Sequence, residues 1–370
     1  MYMLAQIIPK IFLVLSIFVS FTVSAAAQTE AKQSSAGKLV EIKIPAPSLK
    51  GNLLNDPTEQ NISIYLPPGY DASPSKRYPV VYILHGFAGS NKTWMTDGEY
   101  AFNVAPIMDR LVAGGKMREM ILVAPNANNA FNGSFYVNST VTGNWEDYIF
   151  LDVVGYVDKN YRTLPRASSR TIAGHSMGGF GAVAIGMKHA DIFSVIYALS
   201  PAPLGHEEGG DSAPRAWKSL NGYTKRDQLK SSFDSAENLY ANLFAALSAA
   251  FSPNAKREAF FADFPWEERD GKLQLNESVA ARWKSKTPLY MIDQYKQNLL
   301  GLRGFVVEFG LRDEFQSVLI NVPLFSKALA ERGIPHIFEI YDGTHEDKIK
   351  ERLESKVLPF LSEKLDFTNR

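Results

Sequence analysis

The sequence contains no cysteine. That excludes a disulfide framework, a thiolate metal site and a thiol nucleophile. It also lacks an excess of either charge: 39 Lys and Arg residues stand against 39 Asp and Glu residues, for a formal net charge of +0. A protein held to nucleic acid by a global basic field is therefore not expected. No stretch reaches the roughly 20 apolar residues of a membrane span. The two-histidine helical spacing of the zinc peptidases is missing as well, so no metal or cofactor is expected. With 45% hydrophobic and 21% charged residues among 370, the chain suffices for one large α/β domain or two smaller ones.

The one apolar run of note, residues 11–23, follows Lys10 and precedes Ala25-Ala26-Ala27. A short basic start, an apolar centre and small residues at the end describe a secretory signal peptide. Residues 1–27 are read as that signal, with cleavage after Ala27, and 28–37 as a polar, flexible lead-in. An uncleaved anchor is the competing reading, but the run is short for one. A secreted or periplasmic protein with no membrane contact after cleavage is expected. Its size makes disulfides unnecessary.

Residues 38–370 then show short apolar or alternating runs at 39–44, 61–66, 80–84, 120–124, 171–173, 195–199, 305–309 and 337–341. Several are apolar on both alternating faces, as in strands covered by helices on both sides. Helical spacing lies between them. Ile149, Val153, Val154 and Val157 form one stripe, and Ile349, Leu353, Val357 and Leu361 recur every four residues. A helix over 323–332 is expected to open at Pro323 and stop at Gly333. The alternation predicts an α/β fold with a mostly parallel sheet and helices on both faces. Residues 202–290 break this rhythm. They contain no convincing strand but carry a helical stripe of Leu239, Tyr240, Leu243, Phe244 and Leu247. Such an insertion is read either as a lid or binding loop, or as extra helical packing at the sheet edge.

Gly174-His175-Ser176-Met177-Gly178-Gly179 is weak as a bare pattern. Its setting sharpens it, because a strand precedes and a helix follows. Strand–turn–helix geometry is what a nucleophile elbow requires, with small residues flanking a strained serine. A serine hydroxyl needs a base. His345 follows the last strand, where the chain order Ser, Asp/Glu, His places the base. His175 is too constrained beside the serine. His85, at a strand end, suits hydrogen bonding to its own loop. His189, His206 and His336 lie elsewhere in the order. Asp313, in the loop after strand 305–309, is the expected acid, with Glu314 as nearest competitor. The oxyanion donors are expected at the backbone N–H groups of Met177 and Phe87.

The segments Tyr65-Leu66-Pro67-Pro68-Gly69-Tyr70, residues 78–86 and the Gly174–Gly179 motif resemble the esterase D-like family of α/β hydrolases. Asp158-Lys159-Asn160-Tyr161-Arg162-Thr163 is similar to that family's segment before the elbow strand. The resemblance covers about 39–365, excluding most of the insertion. It implies an α/β-hydrolase fold and a serine carboxylesterase, with Ser176, Asp313 and His345 matching the family triad. Relatives include feruloyl and acetyl-xylan esterases, S-formylglutathione hydrolases and mycolyltransferases. Trp94, in the loop after the oxyanion segment, and Phe131 and Tyr136, in the asparagine-rich loop 126–144, are expected substrate contacts; asparagine donors beside aromatic faces would suit a carbohydrate-linked or aromatic acyl ester. A secreted acyltransferase using the same residues, a serine peptidase and a non-catalytic binding protein are the alternatives.

Overall fold

In the segment 80–84 the side chains of Val81 and Ile83 point one way, and those of Val80, Tyr82 and Leu84 the other. All five are buried. The computed structural model, which describes residues 36–369 apart from Glu99, 206–212 and Ser231, places this strand near the middle of an eight-stranded sheet. The expected signal peptide and residues 28–35 of the lead-in lie outside the described residues. The strands are β1 (Lys38–Pro45), β2 (Glu59–Leu66), β3 (Val80–Leu84), β4 (Ile121–Pro125), β5 (Arg170–His175), β6 (Val195–Leu199), β7 (Gly304–Gly310) and β8 (Ile337–Tyr341). Each of the eight runs expected from sequence forms one of them. Their order across the sheet is 1-2-4-3-5-6-7-8. Only β2 runs against the others.

Two apolar layers sandwich the sheet. Val81, Ala173, Tyr197 and Val306 face α1 (Val104–Ala113) and the C-terminal helical run α7 (349–364). Tyr82, Ile172, Ile196 and Val307 face the opposite layer. That layer holds α2 (145–160), α3 (Met177–Lys188) and α6 (Gln316–Glu331). The two helical stripes read from sequence are buried as expected: Ile149, Val153 and Val157 in α2, and Ile349, Leu353, Val357 and Leu361 in α7. Among the described residues no helix is long and apolar enough to cross a membrane.

Two expectations need correction. The helix near 323–332 begins seven residues earlier, at Gln316, with Pro323 inside it. An internal proline costs a backbone hydrogen bond. Val318, Val322, Phe325 and Leu329 nevertheless form one continuous buried stripe through it, and that packing outweighs the loss. The C-terminal end agrees with the sequence, since Gly333 has a left-handed φ of 69°. The insertion also contains strand structure, a short antiparallel hairpin of Trp266–Arg269 and Lys272–Leu275.

The insertion is otherwise helical. It packs α4 (Ala213–Gly222) on α5 (Ala236–Phe251), with the Trp217 and Phe244 rings stacked 4.3 Å apart. Phe251, Phe264 and Trp283 join the same buried cluster as the sheet's α3 side. Ser235 caps α5 by accepting from Asn238 N–H at 3.2 Å. Lys286 Nζ donates to Ala250 C=O at the other end, at 3.1 Å.

Candidate active site

The chain turns sharply where β5 meets α3. Ser176 sits between them at φ 56°, ψ −121°, a conformation that non-glycine residues adopt at a cost. The turn closes only because its flanks are bare. A Cβ on Gly174 would lie 2.3 Å from Gly178 C=O, and one on Gly178 would lie 2.1 Å from the Leu84 carbonyl oxygen. Both obstructions are backbone and cannot swing aside. Gly178→Ala is therefore expected to destabilise the fold by about 1–3 kcal/mol or more, read as a lowered midpoint in urea. An unchanged midpoint would show that the elbow has more room than these distances allow.

Ser176 N–H donates to Leu199 C=O at 2.9 Å, fixing the turn to β6. Beside it runs the loop after β3. A Cβ on Gly86 would come within 3.4 Å of Ser176 Cβ, so Phe87 follows directly on a neighbour of Ser176. His85 shapes this loop. Its Nε2 accepts from Ala127 N–H at 2.8 Å, which leaves the proton on Nδ1 to donate to Gly86 C=O at 2.8 Å. Burial pushes His85 down to about 4, in keeping with that neutral tautomer. Tyr136 O–H donates to His85 C=O at 2.8 Å, and Ala88 N–H to Asn132 C=O at 2.7 Å. Met177 opens α3, so its N–H belongs to the first turn and has no partner within the helix.

His345 Nδ1 and Asp313 Oδ2 are 2.7 Å apart and buried. Asp313 Oδ1 accepts from Phe315 N–H at 2.9 Å, which holds the carboxylate at the head of α6. His345 Nε2 is buried without a hydrogen-bond partner among the described residues. The backbone of His345 is gripped on both sides, a feature the sequence reading missed. His175 Nε2–H donates to His345 C=O at 2.8 Å, and His345 N–H donates to Glu314 Oε2 at 3.0 Å. Burial, reinforced by the adjacent His345 ring, pushes His175 down to about 3, so it serves as a neutral donor. The signal was in the elbow motif itself, where a histidine precedes the serine.

Ser176, His345, Phe87 and Met177 all line one cavity of about 880 Å³. Trp94, Phe131 and Tyr136, expected as substrate contacts, do not line it. They are 0%, 2% and 0% exposed and belong to the core. Large rings gain more by full burial than at a wet rim, and Tyr136 carries out the loop bracing just described. Phe135 and Thr93, their chain neighbours, face the cavity instead. The stripe of Leu239, Tyr240, Leu243, Phe244 and Leu247 lines it too.

The family model described as "Putative esterase" matches residues 56–349. The chain belongs to this esterase family. An endo-1,4-beta-xylanase/feruloyl esterase of Xylanibacter ruminicola is 31% identical over 164 residues, which is 43% of this chain and 22% of the relative. An esterase of Mycobacterium tuberculosis is 33% identical over 150 residues, 40% of this chain and 30% of the relative. The esterase chain thus spans less than a third of the length of either relative. Among solved structures, a ferulic acid esterase superposes with a TM-score of 0.61 at 24% identity, covering 89% of this chain and 99% of its own. An S-formylglutathione hydrolase from Agrobacterium tumefaciens gives 0.56 at 16%, covering 90% and 97%. These likenesses establish the α/β-hydrolase fold for the esterase chain.

Proposed function

We propose that this protein is an exported serine carboxylesterase that works through an acyl-enzyme. The observation that carries the reading is the buried His345–Asp313 pair, 2.7 Å apart, opening on the same cavity as the strained Ser176. Ser176 Oγ attacks the ester carbonyl carbon while His345 Nε2 takes its proton. Asp313 holds the imidazole and stabilises the imidazolium. The N–H groups of Phe87 and Met177 receive the oxyanion. Collapse of the tetrahedral intermediate expels the alcohol, which takes the proton from His345. Water, activated by the same base, then adds to the acyl-enzyme, and its collapse releases the acid and restores Ser176. Residues 1–27 supply the export signal, and the substrate is a small-molecule or carbohydrate-linked ester.

Purified protein is expected to turn over 4-nitrophenyl butyrate and to be labelled at Ser176 by a fluorophosphonate, with mass spectrometry locating the adduct. Absence of both turnover and labelling would sink the proposal. Added alcohol acceptors distinguish the acyltransferase alternative: product partitioning to a new ester rather than to acid would favour it.

A further inference from the structure

His345 must protonate the departing alcohol, so the alcohol leaves on the histidine's side of the cavity. Thr344 and Glu346 flank His345 there. The acyl group is taken to lie along the apolar part of the lining, which Phe87 and the insertion contribute. On that side Phe87 lies 6.1 Å from Phe135 and 5.9 Å from Phe233, centroid to centroid. Leu239, Leu243 and Leu247 of α5 complete the wall. None of these six side chains carries a hydrogen-bonding group; Tyr240 of the same helix and Thr93 also line the cavity. Phe233 is 42% exposed, and Leu239 and Leu243 are half-buried. Their free faces front the cavity, leaving apolar surface for a guest to cover. The wall is held in place by the Ser235 cap, the Trp217–Phe244 stack and the Lys286 contact to Ala250.

We infer that the wall contributed by Phe87, Phe135, Phe233 and α5 is a subsite for an aliphatic acyl chain, so that medium-length saturated esters are preferred over acetyl ones. The inference rests on the esterase reading above. An alkyl chain covers the apolar faces of Phe87, Phe135, Phe233, Leu239, Leu243 and Leu247 and strands no polar group of its own against them.

The test is kcat/KM across 4-nitrophenyl acetate, butyrate, hexanoate and octanoate, which share one leaving group. Up to hexanoate the value is expected to rise about fourfold per methylene, the equivalent of about 0.8 kcal/mol per buried methylene. In Leu243→Ser the octanoate-to-acetate ratio is expected to fall at least tenfold. Leu239→Ser provides a second variant at another half-buried position, with thermal melts checking that both fold. Acetate turnover with a flat or falling chain-length profile overturns this inference and leaves the esterase reading intact. So does an unchanged ratio in both variants. No hydrolysis of any ester overturns both.

Discussion

Ser176→Ala is expected to lower kcat for 4-nitrophenyl butyrate by about 10⁴–10⁶-fold, the scale on which serine hydrolases lose activity with their nucleophile. The protein should remain folded. Alanine must adopt the same φ of 56°, and the Ser176 backbone bonds to Leu199 and Phe180 need no hydroxyl. The thermal midpoint should therefore stay within the range of a neutral substitution, about 0.5 kcal/mol. Steady-state rates on freshly purified protein, read beside a melting curve, separate the two effects. Activity within tenfold of the parent would remove Ser176 from the role of nucleophile. A collapsed melting curve would instead mean that the side chain supports the turn.

A second large effect is expected at a buried ion pair whose members do not line the cavity. Glu308, in the middle of β7, is 0% exposed, and Arg352 is 7% exposed. Arg352 Nε donates to Glu308 Oε1 at 3.0 Å, and its Nη2 pairs with Oε2. Tyr197 O–H donates to Oε2 at 2.8 Å, while Arg352 Nη1 reaches Glu339 at 2.9 Å. One guanidinium thus ties together β7, which leads to Asp313, β8, which leads to His345, and the helical run beyond. Removing one partner of a buried pair leaves an uncompensated charge. Arg352→Leu is expected to cost about 3–5 kcal/mol on that account, measured as urea stability. Adding Glu308→Gln should recover part of the loss, because the stranded charge is gone. A single variant losing less than 1 kcal/mol would show that water screens the pair.

The sheet was legible because its strands are apolar on both faces and bounded by polar turns. Val80 to Leu84 could hardly be anything but a covered strand. The elbow and the Asp313–His345 pairing were legible through chain order, a property of topology that sequence carries directly. Other features depended on contacts across the fold. Pro323 signalled a helix start, but tertiary burial of Val318 and Val322 carried the helix through it. Trp94, Phe131 and Tyr136 looked like ligand contacts because a loop rich in asparagine suggests solvent. The direction each ring takes is decided by packing, which spacing does not encode. Glu308 read as one position in an apolar strand, and nothing near it announced Arg352 as its partner.

The strand order has a consequence for how activity first arises. His175 and His345 meet across 170 residues of chain, and β8, the strand before His345, is an edge strand of the sheet. A chain growing from its N-terminus makes the elbow well before His345, the proposed base, exists. Pairings between distant segments also form slowly. During refolding, fluorescence from buried tryptophans should recover while ester turnover still lags. Recovery of turnover then reports the docking of β8, and a ribosome-bound chain is expected to stay inert until the segment carrying Asp313 and His345 has emerged.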